Sequence, residues 1–306
     1  MTTTDHDLVI IGAGPAGLTA GMYAARARMN VLLLEKSVPG GQILITDWIE
    51  NYPGFPEGIS GYDLSEKMKR QAEDLGLKIQ TAEVHSLDLS SDIKKIALKD
   101  KTITAKTIII ASGASPKNLN VGEEKFFGKG VSFCATCDAP FYRDKTVVAV
   151  GGGDTAVQEA IFLTKFAKKV YIVHRRNELR AAKILQERAL ANDRIEFVWD
   201  SVVTKLEGFF GVESVTVKNI KTNQEQKLKA DGCFIWIGIL PNTSFLGDAL
   251  ATDDWGFIKT DSRMKTSVPG VYAAGDVRDT PLRQITTAVG DAAIAVLSAE
   301  HYIENL

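Results

Sequence analysis

A chain of 306 residues with 45% hydrophobic and 24% charged positions suits a water-soluble protein of two ordinary domains. Its 36 Lys+Arg against 38 Asp+Glu argue against a nucleic-acid partner, and no apolar run reaches membrane-spanning length. The amino-terminal stretch has neither a basic lead-in to a long apolar segment nor a small-residue cleavage site, so a cytoplasmic protein is expected.

The first apolar strand is expected over residues 7–11. It runs into Gly12-Ala13-Gly14-Pro15-Ala16-Gly17 and a helix reaching about Arg28, and a second strand over 31–34 ends at Glu35. Strand before and helix after is the context in which this glycine fingerprint binds a dinucleotide. One glycine permits the tight turn, one lets backbone N–H groups approach a pyrophosphate, and one allows helix to pack on strand. Alternating segments that read as a β-meander follow, and then an apolar strand over 107–113.

The pattern then returns. A strand over 146–150 leads into Gly151-Gly152-Gly153-Asp154-Thr155-Ala156, a helix, a strand over 170–173, another meander and a strand over 233–238. A last glycine-bearing strand, over 270–275, passes Asp276 and Arg283-Gln284 into an apolar helix starting near Ile285, without a dinucleotide unit of its own. The expected fold is therefore α/β, with two Rossmann-like, three-layer ββα dinucleotide-binding domains, the second inserted in the first. Residues 1–115 and 244–306 would form one domain and 116–243 the other. Pro-containing joints at 114–116 and 240–242 could act as hinges.

The two second strands end differently. Glu35 can accept hydrogen bonds from an unmodified adenosine ribose and would repel a 2′-phosphate, so the first unit suits FAD or NAD. At the equivalent offset the second unit has His174-Arg175-Arg176, with Arg180 about one helical turn beyond, a cluster suited to a dianionic phosphate and hence to NADPH.

Of three cysteines, Cys134 and Cys137 stand at CxxC spacing, where they could close a small disulfide ring and accept two electrons. Zinc is the rival reading, but Cys233 and four scattered histidines offer no motif to complete a site. No metal is expected. Cys233 reads as a small buried hydrophobe. Asp138, directly after the pair, is the candidate general acid/base, while Phe141 and Tyr142 read as core or domain-interface residues.

In these residues the chain resembles the low-molecular-weight thioredoxin reductases over essentially its whole length. The carriers are the Gly12 fingerprint, Gly40-Gly41-Gln42, Glu50-Asn51 with Pro53-Gly54, Ala111 to Ala114 and Cys134-Ala135-Thr136-Cys137-Asp138. They continue with Gly151 to Ala156, His174-Arg175-Arg176 with Arg180, and Ala274-Gly275-Asp276 with Arg283-Gln284. The resemblance implies an FAD-containing homodimer that reduces thioredoxin with NADPH. It further implies that Gln42 and Asn51 contact the flavin region, that Asp276 holds the ribityl chain, and that Arg283-Gln284-Ile285 lies against cofactor. Gly41, Val84, Ala111, Gly113 and Gly275 belong to the same flavin-nucleotide set. By the same resemblance, domain rotation lets nicotinamide and disulfide take turns at the flavin, Cys134 attacks the partner and Cys137 resolves the mixed disulfide. Ala139-Pro140 departs from the usual Gly and aromatic residue, and Ser112 replaces a common Thr.

The rival functions are separable. A glutaredoxin-like acceptor would keep the same chemistry with another partner. A small-molecule dithiol oxidase would use no nicotinamide, an NADPH:ferredoxin oxidoreductase would have no use for Cys134 and Cys137, and a redox-sensing binding protein would not turn over. The chain ends without further cysteines and without a fused amino-terminal redox domain, which favours the low-molecular-weight class.

Overall fold

The computed structural model of the chain describes residues 4–46, 49 and 51–306, so Glu50 of the sequence motif lies outside the described residues. The chain divides into one unit of Met1–Ser115 with Leu240–Leu306 and a second of Pro116–Ile239.

The first unit starts with strand β1 (His6–Ile11), helix α1 (Pro15–Arg26) and strand β2 (Val31–Glu35). Helix α2 (Gly61–Asp74) and strand β3 (Lys78–Thr81) follow. Next come β4 (Val84–Asp88), β5 (Lys94–Leu98), β6 (Thr102–Ile110) and the short β7 (Ala114–Pro116). The sheet order is β3-β2-β1-β6-β5-β4. Helix α1 stops earlier than its composition suggests because Arg28 takes a left-handed φ of 59° and Met29 N–H turns back to the Ala24 carbonyl.

The second unit repeats the plan. It contains β8 (Val131–Ser132), α3 (Ala135–Asp138), β9 (Thr146–Gly151), α4 (Asp154–Leu163), β10 (Lys169–Val173), α5 (Lys183–Leu190) and β11 (Ile195–Val198). The meander β12 (Ser201–Glu207), β13 (Ser214–Asn219) and β14 (Glu225–Lys229) leads to β15 (Gly232–Trp236). The parallel order β11-β10-β9-β15-β8 matches β3-β2-β1-β6 in the first unit, with β8 beside β15 where β17 (Val271–Ala273) lies beside β6. After β16 (Ile239–Pro241) the chain is back in the first unit, where β17 (Val271–Ala273) and α6 (Ile285–Glu304) complete it.

β6 shows how three layers arise from one strand. Its first half pairs antiparallel with β5 (Lys94 opposite Ala105, Ala97 opposite Thr102), and its last residues pair in parallel with β17 (Ile108 opposite Val271, Ile110 opposite Ala273). The sheet thus splits into a meander layer and a parallel layer. Both faces of the parallel layer are covered, which is why its strands read as unbroken apolar runs. Leu8, Ile10 and Ile109 pack with α1 and α6, while Val9, Ile11, Ile108 and Ile110 pack toward the meander. In the second unit Val147, Ala149 and Phe234 take the helix side, and Val148, Val150, Cys233 and Ile235 the meander side. Cys233 is fully buried and burial pushes its thiol far up, leaving an inert packing residue.

The return crossing falls at Ile239/Leu240 rather than at 243/244. Asn242 is the reason. Its side chain donates to the Ser112 carbonyl at 2.8 Å, its own carbonyl accepts from Ser112 Oγ at 2.7 Å, and Ser115 Oγ donates to its Oδ1 at 3.0 Å. These bonds also end the strand expected to run to Gly113 at Ile110. The crossing strands β7 and β16 pair as a two-stranded ribbon.

Candidate active site

In the first unit the carboxyl ends of β1, β6 and β17 converge on the glycine turn. Gly12 has φ +102°, and a Cβ there would lie 2.5 Å from the Ala111 carbonyl oxygen, so only glycine fits. Gly41 packs against Gly14, and Gly40 N–H donates to the Ala13 carbonyl. Gly275 lies against Ala16. Helix α1 begins at Pro15, with no side-chain cap and no acidic residue in its first turn, so its leading N–H groups face an open turn.

Glu35 is held by two backbone N–H groups. Its Oε2 accepts from Ala13 N–H at 2.8 Å and its Oε1 from Ser37 N–H at 3.0 Å, which aims the carboxylate across the end of β2. Asn51 Nδ2 donates to Gln284 Oε1 at 3.1 Å, and Gln284 caps α6, so two predicted flavin contacts meet although far apart in sequence. Ile285 packs beside Ile43, Ile59 and Leu64. Burial pushes the Asp276 carboxyl up, the Arg283 cation pulls it partly back, and Asp291 pushes it up again. A buried carboxyl of this kind accepts a hydroxyl well. Arg283 lies 4.2 Å over the Phe257 ring. Val84 is buried at the start of β4, and Gly113 adopts φ +68°.

Arg278 and Asp291 escaped the sequence reading. Arg278 donates Nε to Asp291 Oδ2 at 2.6 Å and Nη2 to Oδ1 at 2.8 Å, and the same Oδ2 accepts from Gly275 N–H at 3.1 Å. This bidentate pair fixes the turn that carries Asp276. The signal was a carboxylate on the face of α6 that also carries Ala288, Ala292 and Ala295. Arg278→Ala would strand a buried carboxylate and is expected to lower stability by about 3–5 kcal/mol. In a thermal melt that is roughly a ten-degree fall, and an unchanged midpoint would refute the assignment.

The second unit repeats the turn with differences. Gly151 has φ +152° and a Cβ there would lie 2.5 Å from the Trp236 carbonyl, the counterpart of Gly12 against Ala111. Gly153 starts α4 with no side-chain cap, Ala156 is buried behind the turn, and Thr155 is exposed. Asp154 turns away to accept from Ala182 N–H at 2.6 Å. Arg180 N–H donates to the Gly152 carbonyl at 2.7 Å, which sets its guanidinium 3.9 Å from where a Gly153 Cβ would be.

His174 differs from its neighbours. Arg175, Arg176 and Arg180 are exposed, whereas the His174 ring is buried against Gly152 and its Nε2 has no hydrogen-bond partner among the described residues. Burial first, then the Arg180, Arg176 and Arg175 charges, depress its pKa, so it is neutral at pH 7. Such a group contributes stability that is present above the unfolded value and lost as pH falls through the folded one. The melting midpoint of the wild type is therefore expected to fall more between pH 7 and pH 5 than that of His174→Gln. Equal falls would remove His174 as the cause.

Cys134 and Cys137 form a disulfide with Cα atoms 5.4 Å apart, half-buried at the start of α3. The sulfurs are bonded to each other, as the redox reading of CxxC requires. Three groups hold the segment. Trp236 Nε1 donates to the Phe133 carbonyl at 3.0 Å, Cys134 N–H donates to Ser132 Oγ at 3.1 Å, and Ala135 N–H donates to Glu159 Oε2 at 3.2 Å. Cys134 Sγ lies 3.3 Å from Thr136 Oγ1. Asp138 is half-buried in the last position of α3, and its N–H donates to the Cys134 carbonyl. Tyr142 packs edge-on to Phe234 in the core, while Phe141 is exposed.

Comparison with known proteins agrees with this architecture. The thioredoxin reductase of Bacillus subtilis (strain 168) is 44% identical over 303 residues, covering 98% of this chain and 96% of the relative. That of Peptoclostridium litorale is 46% identical over 308 residues, covering 98% of each. The crystal structure of thioredoxin reductase from Streptococcus pyogenes MGAS5005 superposes with a TM-score of 0.94 at 47% identity, covering both chains completely. The family described as pyridine nucleotide-disulphide oxidoreductase matches residues 6–292, and the chain belongs to that family.

Proposed function

We propose that the protein is a thioredoxin-disulfide reductase, passing electrons from NADPH through bound FAD and the Cys134–Cys137 disulfide to the disulfide of thioredoxin. The carrying observation is that a closed, half-exposed CxxC disulfide shares a unit with a glycine turn flanked by three exposed arginines. FAD supplies the two-electron relay between a nicotinamide and a disulfide.

The first unit holds FAD. Gly12, Gly14, Pro15 and Ala16 cradle the pyrophosphate at the open end of α1, Glu35 accepts from the adenosine ribose, and Asp276 accepts a ribityl hydroxyl. Gly41, Gln42, Asn51, Val84, Ala111, Gly113, Gly275, Arg283, Gln284 and Ile285 line the same site. The second unit holds NADPH, with Gly151, Gly153, Asp154, Thr155 and Ala156 around the pyrophosphate. Arg175, Arg176 and Arg180 take the 2′-phosphate, and His174 offers its neutral ring as wall and hydrogen-bonding group. The disulfide accepts two electrons and Asp138 carries a proton to or from the nascent thiols. Cys134 then attacks the partner disulfide, and Cys137 closes the ring again and releases reduced thioredoxin.

The family resemblance supports a homodimer working in the cytoplasm. Among the described residues no helix is long and apolar enough to cross a membrane. The experiment is NADPH oxidation by the purified flavoprotein with a thioredoxin from the same organism, and NADH in parallel. Thioredoxin-dependent turnover that is fast only with NADPH is expected. Flavin bleaching without thioredoxin reduction would leave the cofactors and remove the partner, and no bleaching by either nucleotide would remove the second nucleotide site.

A further inference from the structure

Behind the disulfide lies a carboxylate that the reaction scheme does not use. Glu159 is on α4, and its Oε2 accepts from Ala135 N–H at 3.2 Å, the residue directly after Cys134. Thr136 N–H also bonds to it. The first two backbone donors after Cys134 thus serve a carboxylate from another helix.

We infer that Glu159 is a positioning residue that holds the CxxC turn and, by its charge, makes the thiols weaker acids and the pair a stronger reductant. The inference rests on the reading of Cys134–Cys137 as the electron-donating pair. Reduction adds two electrons and two protons to the disulfide, and the resulting thiols ionise in part to thiolate. Backbone N–H groups beside a sulfur stabilise such an anion. Here those groups are already bonded to an anion, which offsets their help and adds like-charge repulsion. A destabilised thiolate means a less stable reduced form and a lower reduction potential. That direction suits a pair that must hand electrons onward.

Burial pushes the Glu159 carboxyl up, and the Ala135 and Thr136 N–H groups pull it partly back. The other ionisable side chains on the elements around α3 are Asp138, Asp154, which is bonded to Ala182, and Tyr142.

Glu159→Gln separates charge from position, because the amide oxygen still accepts from Ala135 N–H. The full flavoprotein is equilibrated with dithiothreitol without nucleotide or thioredoxin, so failure of the thioredoxin reading leaves this test intact. In the exchange the reagent closes its own disulfide and the protein pair gains two electrons and two protons. Alkylation and intact mass then count free thiols, and the pH profile of iodoacetamide reaction reads their acidity. For Glu159→Gln the profile is expected to move down by about one pH unit. At pH values above the thiol pKa the equilibrium is expected to shift up to about tenfold toward the reduced pair, which is about 30 mV for a two-electron couple. Glu159→Ala is expected to shift in the same direction. A Glu159→Gln protein that matches the wild type in both readouts, or shifts the other way, overturns the inference. So does a Glu159→Ala protein that fails to fold beside an unaltered Glu159→Gln, since Glu159 would then be a structural cap alone.

Discussion

Cys134→Ser and Cys137→Ser are each expected to reduce NADPH-dependent thioredoxin reduction to the uncatalysed background while NADPH still bleaches the flavin. Beyond the flavin, two electrons can be stored on the chain's own side chains only if two sulfurs can bond to each other, and serine oxygen offers no such couple. The residues proposed to bind the nucleotides lie elsewhere in the sequence, so the first half-reaction is expected to survive. The variants differ in a way that assigns the sulfurs. With Cys134 retained and Cys137 removed, attack on the partner disulfide proceeds but nothing resolves the product. A stable mixed disulfide with thioredoxin accumulates on a non-reducing gel. With Cys134 removed that adduct is absent. The reverse pattern would exchange the two roles, and undiminished turnover in either variant would sink the disulfide relay altogether.

The second large effect is expected at the 2′-phosphate. Arg175 and Arg176 are exposed at the end of β10, and Arg180 is tied by its backbone to the Gly152 carbonyl. A charge-assisted hydrogen bond contributes about 1.5–3 kcal/mol, so losing two lowers kcat/KM for NADPH by roughly two to four decades. NADH lacks the phosphate, and the double variant Arg175→Ala/Arg176→Ala is expected to use it about as well as the wild type does. Steady-state kinetics with both nucleotides read the ratio directly. The wild-type preference is also expected to shrink as ionic strength rises, because the three cations are solvent-exposed. A double variant that loses NADPH and NADH alike would show that these arginines support the fold of the turn instead.

How much was legible in the sequence depended on the range of the force involved. The glycine turns were legible because a φ of +102° at Gly12 or +152° at Gly151 restricts a single residue. The duplication was legible because the doubly covered part of a parallel strand must be apolar, as residues 8–11 of β1, 108–110 of β6, 147–150 of β9 and 233–235 of β15 are. The contrast between Glu35 and the arginines could be read by offset alone, since a βαβ unit of constant length returns its second strand end to the same place. What a tripeptide just past a strand end does with each side chain, however, is not set by the offset. His174 sits in the same tripeptide as Arg175 and Arg176, yet its ring is turned under Gly152 and kept neutral while theirs meet solvent.

What the sequence by itself determined was thus the fold class, the two dinucleotide turns and the CxxC pair, all set by steric rules acting within a few residues. Tertiary structure alone decided which distant groups support them. Asp291 reaches Gly275 and Arg278 only because α6 packs on α1 through small residues, and Glu159 reaches Ala135 only because α4 lies against α3. Asn242 finds Ser112 across the whole of the inserted unit. Each is a polar group that burial obliges to find a partner, and the partner is chosen by the packing of whole elements, which no local pattern encodes.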